Sequence, residues 1–284
     1  MSTRPVVTII GAGGMGQAIA RRIASGRKLL LADFSEETLN SVAEALRRSG
    51  HDVETHRVDI SKHDQVVALA EAVGKAGHVE AVVHTAGVSP AQAEARRILD
   101  VDLLGTANFL DAFLAIAHPG LSVVCIASMA SHIRASTLSP ELEKHLATAP
   151  LDKLLDHPAL EAVLAHRGLD FGTDVDAYSL SKRANILRVQ AAAKAWGLKG
   201  ARVNTVSPGC ILTPMLYQET DSRQDGWMDQ MLGASALARI GTPEDVANVV
   251  AFLLSPESSY ISGNDILVDG GVVSGSRWSQ AGGE

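Results

Sequence analysis

Cysteine, positive charge and long hydrophobic runs are all scarce in this 284-residue chain. The two cysteines, Cys125 and Cys210, are too few for a disulfide framework, and their apolar surroundings predict buried, reduced thiols. The sequence contains no Asn-x-Ser/Thr acceptor site. The first apolar run, Val6 to Ile10, stops at Gly11, far short of a signal-peptide core or a membrane span. We therefore expect a cytoplasmic protein without membrane segments.

Acidic residues outnumber basic ones. Lys and Arg total 25 against 32 Asp and Glu, which gives a formal charge of −7, and no basic run occurs. A nucleic-acid-binding protein needs clustered Lys and Arg for phosphate contacts, and attachment to anionic membranes needs them as well. Both classes are therefore excluded. The proportions of hydrophobic and charged residues, 46% and 20%, are those of an ordinary globular protein rather than a disordered or fibrous one.

Short apolar, β-branched runs alternate with segments of helical period along the chain. Most of these runs are continuously hydrophobic, which is typical of strands covered on both faces of a parallel sheet. The pattern predicts one α/β domain over residues 1–284, a Rossmann-type doubly wound parallel sheet of about seven strands. The predicted strands are Val6 to Ile10, Leu29 to Ala32, Val53 to Val58, Ala81 to His84, Ser122 to Ala127, Arg202 to Val206 and Ile266 to Val268.

Helix boundaries are marked by capping residues. Ser35 is a plausible N-cap for a helix that extends to Ser49, and Thr242 followed by Pro243 opens a later helix. A helix is also predicted from Gly14 to Ser25.

A glycine-rich turn follows the first predicted strand and opens the first helix. It reads Gly11-Ala12-Gly13-Gly14-Met15-Gly16, a G-x-G-x-x-G spacing that lets a pyrophosphate approach the backbone at a helix N-terminus. Asp33 lies 20 residues after Gly13, at the end of the second strand, where a carboxylate can accept hydrogen bonds from both ribose hydroxyls. The same carboxylate would repel a 2′-phosphate, and neither Phe34 nor Ser35 supplies positive charge. The turn therefore predicts dinucleotide binding, with NAD favoured over NADP; the structural alternative is a glycine turn with a helix-capping Asp.

Three polar side chains are candidates for proton-transfer chemistry. Tyr178 and Lys182 are four residues apart in Tyr178-Ser179-Leu180-Ser181-Lys182, so at the start of a long helix they share one face. An ammonium near a phenol favours the ionised form and moves its pKa from near 10 toward neutral pH. Ser128 follows the fifth predicted strand at the carboxyl edge of the sheet, where a doubly wound fold binds its ligands. Taken alone, a tyrosine and a lysine at this spacing indicate a solvent-exposed helix face; Ser128 is the third residue that favours a catalytic role.

No convincing strand occurs from Ser131 to Ala177, a segment that predicts two or three short helices inserted in the sheet framework. Four of the ten histidines fall in this segment, namely His132, His145, His157 and His166. None of them has the spacing of a metal-ligand pair, so no metal site is predicted.

The chain resembles the short-chain dehydrogenase/reductase family over nearly its whole length. Within that family it is most similar to the bacterial hydroxysteroid dehydrogenase/carbonyl reductases, which share the local sequence around Ala195-Trp196-Gly197 and Asn204-Thr205. The matching motifs are the glycine turn, Val58-Asp59-Ile60, Thr85-Ala86-Gly87, Ser128, Tyr178-x-x-x-Lys182, Arg202-Val203-Asn204-Thr205-Val206-Ser207-Pro208-Gly209, Thr213-Pro214 and the closing Gly263-Asn264-Asp265 to Val268-Asp269-Gly270-Gly271.

The resemblance implies an oxidoreductase that interconverts a secondary alcohol and a ketone. Tyr178 is then the general acid or base, Ser128 polarises the carbonyl, and Lys182 holds the nicotinamide ribose and lowers the pKa of the tyrosine. The remaining implied cofactor contacts are Asp59 and Ile60 beside the adenine, Ala86 and Gly87 under the adenine-side ribose, and Pro208, Gly209, Ile211 and Thr213 at the carboxamide.

The sequence departs from the family pattern at four places. The glycine turn is one residue shorter than the family's, and His84 and Thr85 replace a usual pair of asparagines, although Thr85 keeps a hydroxyl for the central turn. Asp102 replaces the asparagine of a proton relay; it retains the main-chain carbonyl but adds a negative charge that counters Lys182. Ser128 and Tyr178 are 50 residues apart, where the family leaves about a dozen.

The insertion at 131–177 accounts for that excess. It is either a structural flap or, as we favour, a cap over the substrate pocket that also covers the helix face that many relatives use for tetramer assembly. The stretch Met215 to Leu237, with Trp227, Met228 and Met231, is expected to line the same pocket and to accept an apolar substrate. The implied assembly is a homo-oligomer, a dimer through the C-terminal strand and the preceding helix, with a tetramer as the alternative.

Two other functions remain open at this point. A non-catalytic NAD-binding sensor or scaffold fits the shortened turn and Asp102, but such proteins tend to lose the tyrosine or the lysine. An epimerase or dehydratase of the extended branch shares the Tyr–Lys pair but needs a sizeable C-terminal substrate domain. Here only a short tail follows the last predicted strand.

Overall fold

The computed structural model describes residues 4–134, 138–165, 173–222 and 226–278. Seven parallel strands form one sheet in the order β3-β2-β1-β4-β5-β6-β7, which confirms the predicted doubly wound α/β fold. Because the strand order reverses between β1 and β4, a crevice opens at their carboxyl ends. The strands are β1 Val6–Ile10, β2 Lys28–Asp33, β3 Asp52–Arg57, β4 Val79–His84, β5 Ser122–Ile126, β6 Arg202–Pro208 and β7 Asp265–Val268.

Thirteen α-helices are described around this sheet. They are α1 Gly14–Ile23, α2 Glu36–Arg48, α3 His63–Ala76, α4 Ala95–Ile98, α5 Gly105–Leu114, α6 Ala130–Arg134, α7 Pro140–Thr148, α8 Pro158–Leu164, α9 Thr173–Leu198, α10 Pro214–Ser222, α11 Trp227–Ala234, α12 Pro243–Leu254 and α13 Val272–Trp278. A six-residue π-helical segment, Leu99–Leu104, joins α4 to α5. Within the described ranges, no helix has the length and apolarity needed to cross a membrane.

Helices cover both faces of the sheet, which explains the continuously hydrophobic strands. On one face, α3, α5 and α9 bury side chains such as Phe109 and Trp196 against Val6 and Ile10. On the other face, α1, α2 and α12 pack on their strand neighbours Val7 and Ile9. Successive residues of β1 thus enter opposite cores, and both faces of the strand are buried, with Thr8 as its one polar side chain.

The predicted caps are confirmed, and two helix boundaries need correction. The side chain of Ser35 accepts a hydrogen bond from Thr38 N at 3.1 Å, and Thr242 forms a capping box with Asp245. Helix α1 ends at Ile23, two residues before the predicted Ser25. Helix α9 begins at Thr173, so Tyr178 lies in its second turn rather than at its start.

The inserted segment contributes three short helices in its described part, as predicted. Helices α7 and α8 bury Leu142, Leu146, Leu160 and Val163 in a third core, against α4, α5 and α9. That core also takes up Leu187 of α9, so the insertion covers the outer face formed by α4 and α9. Its residues 135–137 and 166–172, including His166, lie outside the described residues.

Candidate active site

The glycine turn stands at one wall of a cleft of about 520 Å³ at the carboxyl ends of the central strands. Thr85 Oγ1 donates a hydrogen bond to the Gly11 carbonyl oxygen at 2.7 Å and so anchors the turn to the end of β4. The predicted cofactor residues that line this cleft are Gly11, Gly13, Gly14, Met15, Gly16, Asp33, Phe34, Asp59, Ile60, Thr85, Ala86, Gly87 and Thr213.

The glycines of the turn serve two different purposes, and the difference shows that a dinucleotide phosphate fits. Gly11 has φ +104°, and a Cβ there would lie 2.5 Å from Ala86 N; a Cβ on Gly16 would overlap the Gly11 carbonyl oxygen. A Cβ on Gly13, in contrast, would meet no atom within 4 Å. Gly13 thus faces open space at the N-terminus of α1, which no side chain in the described structure caps. The free N–H groups there suit an anion.

Asp33 lines the cleft at the end of β2 and also binds the turn itself. Its Oδ2 accepts a hydrogen bond from Ala12 N at 2.7 Å, and its Oδ1 accepts one from Ser35 N at 2.8 Å. Each carboxylate oxygen has a second lone pair, which leaves capacity for ribose hydroxyls. The predicted ligand residue is therefore also a structural support of the site.

Two guanidinium groups at the same end of the cleft were not predicted from the sequence. Arg57 and Arg97 lie over the ring of Phe34, 5.7 and 5.6 Å from its centroid. Arg97 also lies 3.4 Å from the Asp59 carboxylate and donates to Ser61 Oγ at 3.1 Å. No sequence signal links α4 to β2 and β3, so only the fold reveals this cluster.

A second cavity of about 430 Å³ adjoins the cleft and shares Met15, Thr213 and Met215 with it. Ser128 lies two residues beyond β5, and Tyr178 projects from α9. The predicted residues that line this cavity are Met15, Ser128, Tyr178, Pro208, Gly209, Ile211, Thr213, Met215, Trp227 and Met231. Met228, which was expected here, lines a separate small cavity instead. Cys210 is also part of the lining and, contrary to prediction, is only partly buried, because it lies in the loop after β6.

Ser128 and Tyr178 both line the second cavity, and Lys182 lies behind them, one helical turn from Tyr178. Ser128 Oγ accepts a hydrogen bond from Ala130 N at 3.2 Å, which leaves its hydroxyl proton available for donation. The Ser128 hydroxyl also lowers the pKa of Tyr178. Lys182 Nζ lies 5.4 Å from the centroid of the Tyr178 ring, as expected for two residues one helical turn apart.

The electrostatic balance at Tyr178 differs from the sequence-based expectation. Burial raises the pKa of Tyr178 and outweighs the opposing effect of Lys182; Glu219 and Asp102 raise the pKa further, and Ser128 lowers it. The prediction of a lowered tyrosine pKa is therefore wrong for this state of the protein, because the sequence reveals the ammonium but not the desolvation.

Lys182 does not stand alone beside the tyrosine. Its Nζ lies 3.0 Å from Asp102 Oδ2, with the two side chains 6% and 0% exposed. Burial opposes the charge of the ammonium, but the combined attraction of Asp102 and Tyr178 prevails and raises the pKa of Lys182. Among the described residues that line the cleft and the second cavity, neither Lys182 nor Asp102 occurs; both lie directly behind Gly87, which lines the cleft.

Candidate metal ligands do not cluster in the described part of the structure. Across the described residues, no group of three or more His, Cys, Asp or Glu side chains could hold a metal ion. His132, in the insertion, instead contacts Asp265 at 2.7 Å.

Comparison with known proteins identifies what this architecture is similar to. A family model described as short chain dehydrogenase matches residues 5–140, and one described as Enoyl-(Acyl carrier protein) reductase matches residues 161–273. The chain is 36% identical over 271 residues to "Short-chain dehydrogenase/reductase bsc3" of Alternaria brassicicola, covering 95% of this chain and 96% of that protein. It is 32% identical over 214 residues to the 3-alpha-hydroxysteroid dehydrogenase/carbonyl reductase of Comamonas testosteroni, covering 72% and 77%.

The fold comparison agrees with these sequence matches. The solved structure of levodione reductase superposes with a TM-score of 0.74 at 24% identity, covering 96% of this chain and 99% of that one. At this identity the likeness concerns the fold alone.

Proposed function

The chain belongs to the short-chain dehydrogenase/reductase family of oxidoreductases, and we propose that it interconverts a secondary alcohol and a ketone with NAD as its hydride carrier. The observation that carries this proposal is that Ser128 and Tyr178 line the cavity next to the cleft, with Lys182 one helical turn from Tyr178. A hydroxyl pair at the end of a dinucleotide cleft suits proton transfer to a carbonyl oxygen.

The residues have distinct roles in ketone reduction. Bound NADH supplies the hydride, which the protein itself cannot. Tyr178 donates its hydroxyl proton to the developing alkoxide, and Ser128 donates a hydrogen bond to the same oxygen. In alcohol oxidation the tyrosine instead accepts the hydroxyl proton. Lys182 supplies a positive charge one helical turn from the tyrosine, where it opposes the raising of the tyrosine pKa by burial.

The preference for NAD over NADP rests on Asp33. Its carboxylate is fixed by two backbone N–H groups at the cleft wall, where it suits ribose hydroxyls and repels a 2′-phosphate. Of the two cations at this end of the cleft, Arg97 is shared with Asp59, whereas Arg57 lies over Phe34 and keeps its charge. Dissociation constants for NAD and NADP therefore test the preference directly.

The second cavity supports an apolar substrate of moderate size. Met215, Leu216, Trp227 and Met231 surround the mouth next to Ser128 and Tyr178, with Glu219 and Gln230 among the polar residues. Ile133 brings the insertion to this wall, which supports a capping role for its first helix. The hydroxysteroid dehydrogenase/carbonyl reductase relative is named for substrates of this character.

We also propose a cytoplasmic dimer formed through β7 and α12. Phe252 on α12 is 41% exposed, and Tyr260, just before β7, is fully exposed, so this edge offers apolar surface to a second copy. The molar mass in light scattering tests the dimer.

The test of the proposed function is cofactor turnover with a panel of secondary alcohols, sterols and ketones, followed by the absorbance of NADH. Turnover that Tyr178→Phe abolishes, with NAD binding retained, supports the enzyme. Binding of NAD without turnover of any panel member favours the alternative, a non-catalytic NAD sensor or scaffold.

A further inference from the structure

The buried contact between Asp102 and Lys182 is the feature of the site that departs most from the family pattern. The carboxylate is fixed on both sides: Oδ2 lies 3.0 Å from Lys182 Nζ, and Oδ1 accepts a hydrogen bond from Val88 N at 2.8 Å. Asp102 belongs to the π-helical segment Leu99–Leu104, and π-helical turns are frequent at functional sites.

Neighbouring residues leave space for the Asp102–Lys182 pair and hold Asp102 in place. A Cβ on Gly87 would lie 2.9 Å from Lys182 Nζ and 3.2 Å from Asp102 Oδ2, so a side chain at this position would crowd both groups. The main-chain oxygen of Asp102 accepts a hydrogen bond from Thr106 Oγ1 at 2.9 Å, and the same hydroxyl contacts His84 Nε2 at 3.1 Å. The segment that carries the carboxylate is therefore anchored on both its side chain and its backbone.

We propose that Asp102 is a positioning residue that holds Lys182 in place and offsets its charge, so that Tyr178 retains its proton and the site favours ketone reduction near neutral pH. The assignment rests on the proposed function for its catalytic meaning, but its physical basis is the geometry of Asp102, Lys182 and Tyr178. An ammonium with a carboxylate 3.0 Å away stabilises a neighbouring phenolate less than a lone ammonium does.

The other charges near Tyr178 do not reverse the effect of Asp102, which favours the protonated phenol. Tyr178 lies within electrostatic range of Lys182 on α9, Glu219 on α10 and Asp102 in the π-helical segment, and both carboxylates favour the protonated phenol. Burial raises the pKa of Asp102 as well, against the opposing effects of Lys182 and of the hydrogen bond from Val88 N, so the offset operates at pH values where Asp102 is ionised. His84, at the end of β4, is neutral over the working range because burial lowers its pKa to about 3. Cys125 on β5 is buried, and burial raises the pKa of its thiol, so it adds no charge.

The test is a titration of Tyr178 in the cofactor-free protein, which needs no substrate and no turnover. The chain has three tyrosines, and Tyr217 and Tyr260 are 61% and 103% exposed, so they serve as internal references. With tyrosine labelled at ¹³Cζ, the Tyr178 resonance is the one missing from Tyr178→Phe, and its chemical shift reports ionisation directly.

In Asp102→Asn we expect the Tyr178 midpoint to fall by about one pH unit, because an uncompensated ammonium favours the phenolate. The matched control is Asp100→Asn, which removes the same charge two residues away, where Asp100 pairs with Arg96 at 3.2 Å on the surface; its midpoint should equal that of the wild type. A purely structural role of Asp102 would lower the melting temperature without moving the midpoint.

An Asp102→Asn midpoint at or above the wild-type value, or no movement before the same alkaline unfolding pH, overturns the proposal. Should Asp102→Asn fail to fold, Asp102→Ser provides the second test, because it also removes the carboxylate and adds no bulk beside Lys182. A fall of the Tyr178 midpoint in that variant supports the proposal, and an unchanged or higher midpoint overturns it. Since the titration is independent of turnover, an inactive protein with the expected shift would refute the proposed function and leave this inference standing.

Discussion

The carboxylate of Asp33 lies 2.7 Å from Ala12 N, so the residue proposed to select the cofactor also holds the glycine turn in shape. This double role couples cofactor affinity to the stability of the turn. Gly87 also has two roles, because it lines the cleft and leaves space for Lys182 and Asp102.

Asp33→Ala should therefore weaken NAD binding and destabilise the protein together. Two charge-assisted hydrogen bonds are lost, each contributing about 1.5–3 kcal/mol, and the ribose loses its acceptor. We expect the dissociation constant for NAD, measured calorimetrically, to rise at least about tenfold and the melting temperature to fall. Asp52→Ala on the solvent-exposed start of β3 is the control and should change neither quantity. Unchanged NAD affinity in Asp33→Ala would contradict the assignment.

Substitutions at two glycines of the turn should affect different properties: Gly16→Ala the stability of the protein, and Gly13→Ala the binding of NAD. A methyl group at Gly16 would overlap the Gly11 carbonyl oxygen, so Gly16→Ala should cost about 1–3 kcal/mol or more of unfolding free energy in a denaturant titration. Gly13→Ala places its methyl group in open space and should keep wild-type stability while weakening NAD binding, since a phosphate must approach there. Equal effects of the two substitutions on stability would refute this division.

The pH dependence should follow the raised pKa of Tyr178. Ketone reduction needs the protonated phenol, so its kcat/KM should hold through neutral pH and decline only in the alkaline range. Alcohol oxidation needs the phenolate and should rise with pH over that same range. Profiles of kcat/KM in both directions check this; an oxidation limb with its midpoint near neutral pH would show that Lys182 outweighs burial.

Substitutions in two parts of the insertion should have different effects, one on the unfolding free energy and the other on KM. Leu146 is fully buried between α7 and α9, so Leu146→Ala should cost about 2–5 kcal/mol of unfolding free energy with little change in KM. Ile133 is 52% exposed at the wall of the second cavity, so Ile133→Ala should raise KM for apolar substrates and leave the melting temperature nearly unchanged. The reverse pattern would place the cap elsewhere.

The fold was largely predictable because both faces of a parallel sheet are buried. Continuous apolar runs marked most of the strands, whereas the edge strand β3, DVETHR, is mostly polar and only partly buried. The errors fall at polar ends: Lys28 and Asp33 extend β2 beyond its apolar stretch. Helix α9 began earlier than predicted because the residues before Tyr178 carry no stop signal.

The site was predictable where a motif is local and not where it is assembled by the fold. The glycine turn and the Tyr178–Lys182 spacing are local patterns. The contact of Arg97 with Asp59 joins residues from different elements, and no spacing rule points to it. The contact of Asp102 with Lys182 also joins different elements, and only the family resemblance led us to expect it. The predicted direction of the Tyr178 pKa shift was wrong for the same reason, since desolvation is a property of the packed structure.

The most direct test of the account is transfer of deuterium from NADH deuterated at C4 of the nicotinamide to a ketone of the panel, followed by mass spectrometry of the alcohol. The account predicts one deuterium at the carbinol carbon with the wild type, and a rate about a hundredfold or more lower in Tyr178→Phe, which should still bind NADH. No labelled alcohol from any ketone with NADH bound, or an undiminished rate in Tyr178→Phe, would contradict it.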